Sequence, residues 1–173
     1  MTADEIKHLL GLMPHPREGG WFIQTYAANE AISSSAFADA RYPDARYPGP
    51  RRTSTAIYYL LEPESFSEMH RLRSDEVFHF YAGDPIEMLQ LSPDGTGRTI
   101  VIGNDLAAGH TPQVVVKREV WQGARLIEGG GWALLGCTVS PGFEYEDYDS
   151  GKRAELIANW PAFTAKIVAL THS

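Results

Sequence analysis

The stretch SEMHRLRSDEVFHFYAGDP, residues 67 to 85, carries His70, Glu76 and His79 in a strand-like setting. An imidazole and a carboxylate that meet in an apolar site hold a divalent cation, pass protons to and from a bound molecule, or join a neighbour such as Gln122 in a hydrogen-bonded polar cluster that binds a ligand or only satisfies itself. A turn ending near Ser74 and Asp75 puts His70 and Leu72 on one strand and Glu76, Phe78 and Phe80 on the next. Period-2 alternation gives each set a common face. If both faces look into a barrel, His70 and Glu76 converge in a mostly apolar cavity, the setting that shifts pKa values and supports binding or proton transfer. His79 then points the other way, as a strand histidine at a sheet surface or subunit interface.

The elements that would position these residues are short. From Thr53 to Asp149 the chain reads as strand candidates: TSTAIYYLL, FSEMHRL, EVFHFYAG, IEMLQLS, GRTIVIG, QVVVKREVWQ, ARLIEG, GWALLGCTVS and GFEYEDY. Turn signals such as SPDGTG, GGG and SPG separate them, and no helical period intervenes, so the pattern predicts an all-β sandwich or barrel. Thr2 and Glu5 have capping-box spacing, and Ile6, Leu9, Leu10 and Met13 recur at the helical period, which predicts a helix over about residues 3–11. After Gly151 the helical pattern returns over about 152–170, where Pro161 starts a last helix with Phe163, Ile167 and Leu170 on one face. Residues from about 28 to 50 lose periodicity and form a long loop. It contains the tandem repeat Asp39-Ala-Arg-Tyr-Pro43 and Asp44-Ala-Arg-Tyr-Pro48, read as a duplication in a tolerant surface loop, with a lid or oligomer contact through Arg41, Tyr42, Arg46 and Tyr47 as the lesser reading.

The 173 residues fit a single domain over 1–173, with a β core over about 53–149. A net charge of −7 and a pI near 5.3 argue against nucleic acid or an anionic membrane as partner, because such binding rests on Lys and Arg neutralising phosphates. A small molecule is the expected ligand. The single Cys137 lies in the apolar run WALLGCTV as a buried thiol, which fits a reducing cytoplasm. The N-terminus lacks the basic head and continuous apolar run of a secretion signal. In GFEYEDY and the residue after it, Glu144, Glu146, Asp147 and Asp149 read as a solvated acidic edge.

The spacing His70-x-Leu72-x3-Glu76-x6-Gly83 resembles the first cupin motif, with Leu72 where the second histidine usually stands. The closer resemblance is to the small single-domain cupins called cupin-5, which are similar to the sugar-epimerase-type (RmlC-like) jelly rolls. It is carried by LGLMPHPREGGWF, RRTSTAIYYLL, HRLRSDEVFHFYAGDP, the VWQ of Val120 to Gln122, and GCTVSPGFEYEDY. The resemblance implies a cupin double-stranded β-helix (jelly roll) with short flanking N- and C-terminal α-helices, an internal pocket and a homodimer. Lys117, Glu119 and Gln122 occupy the second motif, so its histidine is absent. HPREGG has an extra Arg17 relative to the family's usual turn, and Gly19 and Gly20 serve backbone geometry.

Carried over residue by residue, the metal positions of the family become His70, Glu76 and Gln122, with Leu72 as the fourth. This donor set suits at most a weakly bound divalent metal. Without a metal, His70 and Glu76 read as an acid/base pair, His70 the general base with Glu76 holding its tautomer and raising its basicity, and a tyrosine from Tyr58, Tyr59 or Tyr145 as the opposing acid, as in the epimerase-type relatives. Strand parity turns only one of Tyr58 and Tyr59 inward. The expected ligand site comprises His70, Leu72, Glu76, Phe78, Phe80, Trp121, Gln122 and Tyr145. Three functions compete: a metal-free isomerase or epimerase, a metal-dependent oxygenase or hydrolase with a degenerate site, and a non-catalytic ligand-binding module.

Overall fold

A computed structural model describes residues 1–38 and 46–172. Segments in which apolar side chains alternate between turn residues bury one face by pairing as strands. In chain order these are β1 (Met13–Pro14), β2 (Trp21–Ala27), β3 (Ala31–Ile32), β4 (Arg51–Arg52), β5 (Thr55–Leu61), β6 (Phe66–Leu72) and β7 (Asp75–Gly83). There follow β8 (Ile86–Leu91), β9 (Gly97–Ile102), β10 (Gln113–Val116), β11 (Trp121–Leu126), β12 (Ala133–Ser140) and β13 (Tyr148–Ser150). One antiparallel sheet has the order β1-β2-β5-β12-β7-β10 and a second the order β13-β6-β11-β8-β9, while β3 and β4 pair separately. The main core takes Tyr59, Phe78 and Leu135 from the first sheet and Ile86, Met88 and Ala124 from the second, as expected for two sheets rolled face to face. Consecutive strands β6 and β7 lie in different sheets, so His70 and Glu76 approach each other across the interior.

Helices cover the outer faces. The helix α1 (Ala3–Leu10) starts at a complete capping box between Thr2 and Glu5 and ends at Gly11 in the left-handed region. It packs Ala3, Ile6 and Leu10 with Leu60 and Trp21. Leu9 and Met13 stay exposed: the docked face runs through Ala3, Ile6 and Leu10 with Leu9 on its solvent flank, and Met13 lies beyond the helix in β1. At the other end α2 (Arg153–Asn159) and α3 (Thr164–Ala169) bring Leu156, Trp160, Ile167 and Leu170 against Met69, Leu89 and Leu91. No helix among the described residues is long and apolar enough to cross a membrane.

Three expectations change. QVVVKREVWQ is not one strand: it breaks between β10 and β11, where Glu119 adopts φ 66 at the glycine position of the second motif. GFEYEDY is a short 3-10 turn over Tyr145–Asp147 followed by β13, and Asp147 is buried against Arg51 rather than solvated. In the long loop Arg41 and Tyr42 lie outside the described residues. Tyr47 is no exposed contact: it is buried, and its hydroxyl donates to the Arg73 carbonyl at 3.1 Å and meets Ser74 Oγ at 2.8 Å.

Candidate functional site

His70 on β6 and Gln122 on β11 are direct cross-strand partners, so their side chains leave the sheet together on its inner face. Glu76 enters from β7 in the opposite sheet. The Gln122 amide nitrogen donates to Glu76 Oε2 at 2.5 Å and lies 3.3 Å from His70 Nε2. His70 Nδ1 stands 2.8 Å from the Glu68 main-chain carbonyl, which can only accept. Nδ1 therefore carries the proton, and the Nε2 lone pair receives the second hydrogen of the Gln122 amide. The tautomer of His70 is held by Glu68, not by Glu76. Tyr148 stacks on the His70 ring with centroids 4.8 Å apart and donates its hydroxyl to the Glu68 carboxylate at 2.8 Å.

Beside this cluster is a cavity of about 90 Å3, walled by Phe22, Ile57, Leu72, Val139 and Phe143 and by the polar groups of His15, Glu18, His70 and Glu76. His15 and Glu18 are the residues that sequence reading missed. They reach the cavity from the turn between β1 and β2, closed by His15 N–H donating to Gly20 O at 2.9 Å. The turn lies against β5 and β6. Tyr59 donates its hydroxyl to Gly19 O at 2.8 Å, Glu68 N–H donates to Glu18 O at 2.9 Å, and Ser67 Oγ donates to Glu18 Oε1 at 2.5 Å. Gly19 has φ +96, and a Cβ there would collide with the Phe66 carbonyl oxygen, so this approach requires glycine. The available signal was the Gly19-Gly20 doublet directly after an acid.

Electrostatics follow from this enclosure. Burial raises the pKa of Glu76 from 4.5 to about 7, and the nearby Glu18 charge adds to the rise; His70, Gln122 and a hydrogen bond from the Cys137 thiol pull the other way without offsetting it. Cys137 is held well above its ordinary value by burial and by Glu76, so it stays a thiol and donates. Burial lowers the pKa of His15, leaving a neutral imidazole near pH 7.

Leu72 and Tyr145 line the cavity with His70 and Glu76, Tyr145 at its lip under the Arg17 guanidinium, 5.5 Å above the ring. Tyr59 faces inward, as parity allowed for one of the pair, but it is fully buried with its hydroxyl committed to the Gly19 turn. Phe78 and Phe80 sit in the main core outside the cavity wall. Trp121 is turned outward by the same alternation that turns Gln122 inward; it packs toward the C-terminal helices with Arg71 4.7 Å above its ring. His79 is on the outer face, near Thr138 and Gln113.

The donor set does not fit a catalytic metal. His70 Nε2 and Glu76 Oε2 both face the Gln122 NH2 group, a donor, while the Gln122 carbonyl oxygen is buried without a hydrogen-bond partner, and Leu72 offers no lone pair. Among the described residues no three His, Cys, Asp or Glu side chains are grouped to hold a metal ion.

Two antiparallel sheets rolled around a pocket, with the His70 and Glu76 motif spacing at its wall, define a cupin jelly roll. The particular family is the Cupin superfamily group Cupin_5 (DUF985), whose model matches residues 4–150, and the chain belongs to it. Protein SO0799 from Shewanella oneidensis has a similar structure, with TM-score 0.84 and 31% identity over 99% of this chain and 98% of that one. A hypothetical protein from Leishmania major superposes with TM-score 0.86 and 28% identity over 100% of both chains. The uncharacterized protein YML079W of Saccharomyces cerevisiae is 27% identical over 135 residues, 76% of this chain and 67% of that protein.

Proposed function

We propose that the barrel binds a small, sugar-like organic molecule and moves a proton on it without a metal, as an isomerase or epimerase does. The observation that carries this reading is the convergence of Glu18, Glu76, His15 and His70 on one cavity whose other walls are largely apolar. A carboxyl with a pKa of about 7 is matched to taking a proton from carbon and returning it near neutral pH. Glu76 is thus the base, and His70 positions it: Glu68 fixes His70, whose lone pair and the Glu76 carboxylate share the Gln122 amide. Tyr145 at the lip is the tyrosine placed to return a proton from another side.

The test is solvent exchange. Small hydroxyketones and keto sugars incubated with the protein in D2O should gain deuterium next to the carbonyl, and Glu76→Gln should abolish the gain. A second reading, a non-catalytic binding module, is favoured by one observation: both ring nitrogens of His70 are engaged by the protein. It predicts saturable thermal stabilisation by a ligand that stays unlabelled. Neither exchange nor stabilisation across the panel would overturn both.

A further inference from the structure

His15 and His70 present opposite ring nitrogens to their surroundings. His15 Nδ1 accepts the main-chain N–H of Glu18 at 2.8 Å and that of Arg17 at 3.4 Å. The proton of the neutral ring therefore sits on Nε2. That Nε2 is 3.9 Å from Glu18 Oε2, beyond hydrogen-bonding reach, and with a neutral imidazole the two do not form an ion pair. Ser67 donates to Glu18 Oε1, and the Tyr59 hydroxyl also interacts with this carboxylate, while Oε2 is the oxygen that faces His15. A fixed donor and an acceptor oxygen thus stand side by side on the cavity wall, with a 3.9 Å gap between them that neither closes.

We propose that His15 Nε2–H and Glu18 Oε2 form a hydroxyl-binding subsite, and that the cavity takes small α-hydroxy carbonyl compounds through it. This rests on the reading above only in assuming that the cavity binds a ligand. A hydroxyl accepts from His15 and donates to Glu18 at once; a carbonyl uses only the donor, an ammonium only the acceptor, and an anion is repelled by Glu18. A cavity of about 90 Å3 admits on the order of six non-hydrogen atoms, the size of a three-carbon hydroxyketone. The ring edges of His15 on Phe22, with centroids 4.7 Å apart, and the Phe143–Tyr145 pair at 5.1 Å supply apolar faces for its C–H groups.

The experiment is side-chain 15N NMR of the full chain with labelled histidine, titrated with dihydroxyacetone and, separately, with acetone. In the free protein His15 should show a protonated Nε2 and bare Nδ1, and His70 the reverse. Dihydroxyacetone should shift the His15 Nε2 resonance saturably and at concentrations at least about tenfold lower than acetone, whose carbonyl can use only the donor. His15→Asn keeps an acceptor for the turn's main-chain N–H groups but lacks Nε2–H. It should stay folded with an unchanged methyl spectrum in the core and lose at least about tenfold in dihydroxyacetone affinity, the effect of removing one hydrogen bond from a buried pair. The opposite tautomer of His15, equal responses to the two ketones, or no response up to about 100 mM would overturn the subsite. Deuterium uptake read on the same samples separates the two claims: binding without exchange removes the proton-transfer reading and leaves the subsite standing.

Discussion

The side-chain amide of Gln122 donates to the Glu76 carboxylate at 2.5 Å, from the position where the second cupin motif usually carries a histidine. A neutral donor thus occupies the space between His70 and Glu76 that a cation would need. The purified protein should hold well below one equivalent of transition metal, by elemental analysis. The double change Leu72→His and Gln122→His supplies three imidazoles and a carboxylate and should raise manganese or iron content toward one equivalent. Near-stoichiometric metal in the unaltered chain, lost in His70→Ala and Glu76→Ala, would contradict this account of the donor set.

Glu76 also links stability to pH. Its folded pKa, about 7, lies above the unfolded 4.5, so between these values the native state holds a proton that the unfolded chain has released. Stability from this group is fully present below about pH 4.5 and is lost as pH rises through 7, by up to about 3 kcal/mol. Glu76→Gln removes the titration. Urea unfolding at about pH 5 and about pH 8 should show the variant gaining relative to the parent chain at the higher pH. Equal differences at both values would mean that Glu76 is not buried as a near-neutral acid.

What the sequence made legible was whatever obeyed a local period. His70, Leu72, Glu76 and Gln122 sit on strands whose alternation fixes their faces, and the motif spacing points to them. The same rule, applied to the neighbour of Gln122, would have turned Trp121 outward. Glu119 hides a demand of geometry rather than of residue type: the backbone adopts φ 66, a conformation that favours glycine, although the side chain is not glycine's. His15 and Glu18 lie in an aperiodic turn, and they arrive at the cavity only because that turn folds onto β5 and β6. Asp147 looked solvated because its partner, Arg51, is 96 residues away.

Tyr59 separates an anchor from an acid. Its hydroxyl reaches Gly19 O, so Tyr59→Phe should cost about 1 kcal/mol in urea unfolding. It should also perturb the 15N signals of His15, which shares that turn, while any deuterium exchange persists. Loss of exchange with unchanged His15 signals would return Tyr59 to the role of proton donor.

A buried ion pair anchors the turn that carries Tyr145. Arg51 donates through Nε to Asp147 Oδ2 at 2.7 Å and through Nη2 to Asp147 Oδ1 at 2.9 Å and Glu146 Oε1 at 2.5 Å. Arg51 and Asp147 are each about 2% exposed in their side chains, and the pairing holds the guanidinium even more firmly protonated than usual. Asp147 closes the turn that carries Tyr145, and Tyr47 lies under the Arg51 guanidinium at 5.0 Å. Removing one partner leaves a buried charge uncompensated, so Asp147→Ala should cost about 3–5 kcal/mol, whereas exposed Asp149→Ala should cost about 1 kcal/mol or less. If the pair also sets the lip, Arg51→Met with Asp147→Leu, which removes both charges, should recover much of the stability and still weaken ligand binding. Recovery of binding along with stability would confine the pair to a structural role.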